Sequence, residues 1–260
     1  MNNEIIKALI LDMDGVLWRD TVPIVDLPSL FRKIDERGWS TVFVTNNATR
    51  TVKQYVEKLA SFGVAAKQDQ IINSGLATAI YLKSKYPSGG PVFSIGEEGL
   101  FRTLGEYGFD QSENEPLAVI GSLDRALNFN KLTIAANFIR SGVPFIGTNP
   151  DPSLPTPNGY IPGTGSILAA LEAASGKKPL IIGKPSPTMY NMALQYLRIK
   201  PENALVVGDR MTTDIVAGIE AGCLTALVLT GVSDESTLKT FEYKPTYVAQ
   251  NVAQLVDTVP

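Results

Sequence analysis

The sequence predicts an α/β protein: a doubly wound, Rossmann-like parallel sheet with a second α/β domain inserted into it. Three observations predict this. Short apolar runs such as Ala8–Leu11 and Ala204–Val207 carry no polar alternation, as strands buried on both faces of a sheet do. Helical spacings separate these runs, and strand–helix–strand order implies parallel strands with crossover helices. The alternation is repeated from about Ser74 to Pro179 before the first series resumes. That places a second domain over residues 76–178, between the two halves 1–75 and 179–260 of the first.

The elements follow in order. Ala8–Leu11 is the first strand, and it ends in Asp12-Met13-Asp14-Gly15. Trp18–Pro28, with Pro23 and Pro28, reads as irregular, and Leu30–Arg37 as an amphipathic helix stopped by Gly38. The β-branched, aromatic run Thr41–Val44 is a strand that ends in Thr45-Asn46-Asn47-Ala48-Thr49-Arg50. Helical spacing resumes over Val52–Phe62 and closes at Gly63.

In the inserted block, Leu76–Leu82, Leu100–Tyr107, Leu132–Arg140 and Ile167–Ala174 read as helices. Pro91–Ile95, Leu117–Ile120 and Val143–Ile146 read as strands, and Asn149–Pro162 as a proline-rich loop. The first domain is then expected to resume with the strand Leu180–Ile182, which ends in Gly183-Lys184-Pro185-Ser186-Pro187. A helix to Tyr196 follows, then the strand Ala204–Val207, ending in Gly208-Asp209-Arg210-Met211-Thr212-Thr213-Asp214, and a further buried strand at Thr225–Leu229.

Composition narrows the chemistry. With 260 residues, 44% apolar and 19% charged, the chain suits about two ordinary globular domains. A net charge of -3 argues against a nucleic-acid or anionic-membrane partner. No apolar run reaches the roughly 18 residues of a membrane span, and the N-terminus lacks a signal-peptide layout. The single cysteine, Cys223, has no partner for an internal disulfide and reads as a buried structural thiol, so the cytoplasm is the expected compartment. There is no histidine, which excludes histidine bases, Ser-His-Asp and Cys-His nucleophiles, and histidine metal sites. Catalysis must use carboxylates, lysine, hydroxyls or a metal held by oxygen.

Asp12 and Asp14 lean to one face if the strand stays extended, because side chains at i and i+2 point the same way. Two such carboxylates fit either a solvated acidic turn or a site where a divalent cation or a proton relieves their repulsion. In parallel sheets, ligands bind beyond the carboxyl ends of the strands. Four strand ends carry polar clusters here: Asp12/Asp14, Thr45/Asn46, Lys184 and Asp209/Asp214. Each alone suits a structural role: a cap, a loop lysine, a turn acid. Together they describe a phosphoryl site, with Asp12, Asp14 and Asp209 as hard oxygen ligands for Mg²⁺, Thr45 and Asn46 as donors and Lys184 as the cation.

In these four motifs the chain resembles the haloacid dehalogenase superfamily of aspartate-dependent phosphatases. Within it, the chain is similar to the NagD-like and p-nitrophenyl phosphatase-like subgroup, which has a large α/β cap inserted after the second motif. Gly147-Thr148-Asn149-Pro150-Asp151 and Pro162-Gly163-Thr164-Gly165 extend the resemblance through the cap. The resemblance implies that Asp12 is the nucleophile and forms an aspartyl-phosphate. Asp14 would be the general acid and then the base, and Gly15, Thr45, Asn46, Asn47 and Lys184 would bind phosphate. It also implies that Asp12, the backbone carbonyl of Asp14 and Asp209 hold Mg²⁺, with Asp214 acting directly or through water and Lys184. Arg50, Asn149 and Asp151 are candidate leaving-group contacts, with Arg210 beside the metal loop. The expected partner is a small phosphorylated metabolite, and the expected assembly a homodimer through the cap. A phosphotransferase or mutase using the same aspartyl-phosphate, and a non-catalytic phosphometabolite-binding protein, are the alternatives.

Overall fold

The computed structural model describes residues 6–156 and 159–260. In chain order the elements are β1 (Ala8–Leu11), β2 (Trp18–Arg19), β3 (Val22–Pro23), α1 (Leu27–Glu36), β4 (Ser40–Thr45), α2 (Val52–Ser61), β5 (Ile71–Asn73) and α3 (Ser74–Lys85). Next come β6 (Gly90–Ile95), α4 (Glu98–Glu106), β7 (Phe109–Gln111), β8 (Val119–Gly121), α5 (Phe129–Arg140), β9 (Phe145–Gly147), β10 (Ser153–Thr156), β11 (Gly159–Pro162) and α6 (Thr164–Ser175). The chain ends with β12 (Leu180–Ile181), α7 (Thr188–Leu197), β13 (Ala204–Gly208), α8 (Val216–Glu220), β14 (Leu224–Val228), α9 (Glu235–Thr240), β15 (Tyr247–Ala249) and α10 (Val252–Thr258).

Two compact units result. The first comprises the chain up to Thr45, Val52–Ile72 and Pro185–Pro260. Its sheet has six strands in the order β15-β14-β13-β1-β4-β5. β1 pairs in parallel with β13 (Ala8 beside Ala204) and with β4 (Ala8 beside Ser40). All four residues of β1 and all five of β13 and β14 are buried, as strands covered on both faces must be. Leu9, Leu11, Phe43, Leu205, Val207 and Val228 share one core with Leu27, Leu30 and Ile34 of α1, Leu59 of α2 and Leu255 of α10. Burying each such side chain contributes about 1.5–3 kcal/mol, so this layer holds the strand ends rigid enough to carry a site. α7 packs against β4 and β1, and α8 against β14.

The second unit comprises Asn46–Thr51 and Asn73–Lys184. Its parallel sheet has the order β12-β9-β8-β6-β7, with β10 and β11 forming a separate antiparallel hairpin. Phe93, Ile95, Val119 and Phe145 of the sheet share a core with Ala135 and Ile139 of α5 and Ile167, Leu168 and Leu171 of α6.

Three expectations need correction. Leu180–Ile181 does not rejoin the first sheet; it pairs in parallel with Ile146–Gly147 of β9 as an edge strand of the second. Its burial fits an edge, since Leu180 is 47% exposed where a central strand would hide it. The second unit accordingly runs through Lys184. The supposedly irregular segment Trp18–Pro28 holds the β2–β3 ribbon and the first turn of α1, and the proline-rich loop holds the β10–β11 hairpin. Pro28 sits in the first turn of α1, where its missing N–H removes no helical bond, and so starts the helix instead of breaking it.

Candidate active site

Within the first unit, β1, β4, β13 and β14 run parallel, so their carboxyl ends line one edge of the sheet. Asp12 directly follows β1, Thr45 closes β4, and Asp209 directly follows β13. Asp12 continues the ladder for one more residue, its N–H donating to Val207 O at 2.9 Å. The extended geometry stops there, because the N–H groups of Val16, Leu17 and Trp18 all turn back onto Met13 O. Asp12 is buried and Asp14 exposed, so the two carboxylates stand in different surroundings although only one residue separates them.

After Asp209 the chain makes a single π-helical turn, Met211–Ile215, a conformation frequent at functional sites. This turn carries Asp214 back toward the strand ends. Arg210 N–H donates to Asp214 Oδ2 at 3.1 Å, and the Tyr190 hydroxyl to Asp214 Oδ1 at 3.4 Å. Asp12, Asp209 and Asp214 then offer carboxylate oxygens that all lie within 4.8 Å of one another. All three residues are buried, at 6%, 5% and 1% exposure. Three carboxylates this close, out of water, repel unless a cation or protons lie among them. An all-oxygen, histidine-free donor set suits a hard divalent ion such as Mg²⁺. The carboxylate of Asp14 is not part of the cluster; it accepts from Trp18 Nε1 at 2.8 Å.

Gly15 presses on this cluster. Its φ is +88°, and a Cβ there would lie 2.6 Å from Asp209 Oδ2, so only glycine fits.

Three asparagines expected to bind phosphate or leaving group, Asn46, Asn47 and Asn149, also make hydrogen bonds within the chain. Asn46 belongs to the second unit, where its Nδ2 donates to Asp151 Oδ2 and Lys184 O, each at 3.0 Å. Its Oδ1 accepts the Lys184 N–H at 2.8 Å. Both amide hydrogens are therefore engaged within the chain, and Asn46 fixes the Lys184 backbone. Asn149 is likewise engaged, donating to Asn46 O at 2.8 Å and Thr164 Oγ1 at 3.2 Å, and accepting from Asp151 N–H at 3.1 Å. Asn47 Oδ1 accepts from the N–H and hydroxyl of Thr49, a local turn. Arg50 is exposed, and Lys184 is 2% exposed.

One group of residues escapes the sequence reading. Beyond β14, Val232 N–H donates to Asp209 Oδ2 at 2.7 Å and Ser233 N–H to Asp209 O at 3.0 Å. Ser233 Oγ accepts Met211 N–H at 2.9 Å, and Thr230 Oγ1 donates to Gly15 O at 2.6 Å. The loop Thr230–Ser233 thus braces both acidic loops. The signal was available: it follows the end of another buried parallel strand, the rule that selects the other clusters.

Comparison with known proteins identifies the family. Residues 9–110 match the model of the haloacid dehalogenase-like hydrolases, and residues 181–255 a HAD-hydrolase-like model. The chain is 35% identical to the 5'-nucleotidase YutF of Bacillus subtilis over 251 residues, 96% of this chain and 97% of that one. Among solved structures, a p-nitrophenyl phosphatase from Archaeoglobus fulgidus aligns with a TM-score of 0.92 at 34% identity, covering 98% of this chain and 100% of that one. A glycerol phosphate phosphatase from Mycobacterium tuberculosis, solved in complex with magnesium, aligns with a TM-score of 0.88 at 31% identity, covering 96% and 76%. The chain belongs to the haloacid dehalogenase-like hydrolases. Within that family it is a phosphatase, a hydrolase of phosphoric monoesters. No helix among the described residues is long and apolar enough to cross a membrane.

Proposed function

We propose that the chain is a Mg²⁺-dependent phosphatase of small phosphomonoesters that works through an aspartyl-phosphate on Asp12. The observation that carries this is the buried trio Asp12, Asp209 and Asp214 at the strand ends. These three, with the backbone carbonyl of Asp14, would hold the ion. When bound, the ion supplies charge neutralisation that lets a carboxylate approach a phosphate dianion. Its presence in the mycobacterial relative supports the choice of magnesium.

In the first half-reaction an Asp12 oxygen forms a bond to phosphorus as the bond to the leaving oxygen breaks. Asp14 delivers its proton to that oxygen. In the second, water attacks the phosphorus, Asp14 takes a proton from it, and the Asp12–phosphorus bond breaks to release inorganic phosphate. Thr45 and Lys184 are proposed, from the motif order, to orient the phosphoryl oxygens. The nucleotide, nitrophenyl and glycerol phosphates in the relatives' names support small monoesters as the substrate class.

The test is phosphate release from nucleoside monophosphates, glycerol phosphate and p-nitrophenyl phosphate, with Mg²⁺ and after exhaustive chelation. Turnover that needs the ion and vanishes in Asp12→Asn is expected. Full turnover after chelation, or in Asp12→Asn, would overturn the reading.

A further inference from the structure

Asp14 is an exposed carboxylate, yet one of its oxygens is held by a side chain that is itself fully buried. Trp18 is 0% exposed, and its Nε1–H donates to Asp14 Oδ1 at 2.8 Å. The turn from Met13 to Trp18 makes this contact possible: Gly15 N–H donates to Trp18 O at 2.8 Å, and Asp14 and Trp18 form an isolated parallel bridge. The indole is fixed from its other sides. Phe62 packs with its ring centroid 5.5 Å away, and the Lys58 ammonium lies 4.2 Å above the indole face. Lys58 is anchored in turn by donating to Asp20 O at 2.8 Å, in the turn between β2 and β3 where Asp20 has a φ of +52°.

We propose that Trp18 is the positioning residue of Asp14, and that Lys58 strengthens its hold. The proposal rests on the acid–base role given to Asp14 above. An indole N–H only donates. Oδ1 therefore remains an acceptor whether Asp14 is charged or neutral, and the proton that Asp14 gives and retakes is confined to Oδ2. The same bond restrains the rotamer of an otherwise solvent-exposed side chain. A cation over the ring face draws electron density from the indole and makes its N–H a better donor, so successive bonds reinforce one another.

The experiment has two independent arms. The chain has two tryptophans, so ¹⁵N-labelled protein gives two indole N–H signals. One is expected downfield, moving upfield in Asp14→Ala and, by a smaller step, in Lys58→Met. The second arm measures kcat and KM for glycerol phosphate and p-nitrophenyl phosphate with Mg²⁺. Trp18→Phe should lower kcat on glycerol phosphate about tenfold or more, the scale of a lost bond to a charged group, with little change in KM. The same change made in Asp14→Asn should have almost no further effect, because the two act as one unit.

Should Trp18→Phe fold poorly, Trp18→benzothienylalanine keeps the ring shape and replaces the N–H by sulfur. Indole signals unmoved by Asp14→Ala would overturn the proposal, as would an equal kcat loss in the Asp14→Asn background. Phosphatase activity that survives in Asp12→Asn would instead overturn the catalytic reading, while the indole shifts would still report the contact.

Discussion

Val232 holds Asp209: its backbone N–H donates to Oδ2 at 2.7 Å, and the residue before it has no side chain for a physical reason. A Cβ on Gly231 would overlap the Asp209 carboxylate. Gly231 is exposed and lies at a loop, so Gly231→Ala disturbs the carboxylate and leaves the sheet intact. Loss of such outer support weakens metal affinity by about 10–100-fold. Calorimetric titration with Mg²⁺ should show that loss, while the melting temperature in chelator stays close to that of the parent. Unchanged Mg²⁺ affinity would mean that the loop does not tune Asp209.

Asp12 and Asp14 should fail differently. Asp12→Asn removes the proposed nucleophile and should leave no burst with any substrate. Asp14→Asn should still release one equivalent of nitrophenolate, a good leaving group, before stalling. Its steady turnover should fall by about 10²–10⁴-fold, the usual contribution of general acid–base catalysis. Alkyl phosphates need the proton and should show no burst in either variant. Rapid-mixing absorbance at near-stoichiometric substrate separates these outcomes.

Cys223 should be unreactive while the chain is folded. It is buried, and burial pushes its thiol up to about 12, so the neutral form dominates throughout the physiological range. Thiolate is the nucleophile, so alkylation at pH 8 should be slow in the native protein and rapid once it is unfolded in urea. A native rate near that of a free thiol would contradict the burial.

Asp234 should make α9 acid-sensitive. It caps that helix, and the Thr237 N–H, with the Ser236 and Thr237 hydroxyls, pulls its carboxyl down to about 2. A folded value below the ordinary one, 3.8, means the charged cap favours the folded helix above about pH 4. That contribution falls away as pH drops from about 4 through about 2. Amide chemical shifts of Ser236–Leu238 should therefore titrate toward disorder in that window, ahead of those in β1 and β13. In Asp234→Ala the helix should already be frayed at pH 7 and lose this titration.

Much of the site is legible because one rule finds it. Asp12, Thr45 and Asp209 each follow or close a continuous apolar run, and a parallel sheet brings such ends to one edge. What stays hidden depends on partners far away in the chain or on a turn that spacing does not reveal. A short apolar run does not say which sheet it joins, so Leu180–Ile181 reads like any other strand of the first sheet until its pairing with β9 is seen. The donors of Asn46 read as free in the motif, yet their acceptors stand at Asp151 and Lys184. Trp18 reads as part of an irregular stretch, since nothing in its spacing says that the chain turns back at Met13.

The pairing of Ala8 with Ala204 also sets a timetable for synthesis. About two hundred residues must leave the ribosome after β1 before its second neighbour exists, roughly 10–40 s at the usual pace of translation. Through most of that interval a wholly apolar strand can pair on one side only, leaving an open hydrogen-bonding edge of the kind that recruits other chains. Newborn copies should therefore lean on chaperones more heavily than the folded enzyme does. Slowing translation between residues 50 and 200 should lengthen that exposure and lower the soluble yield.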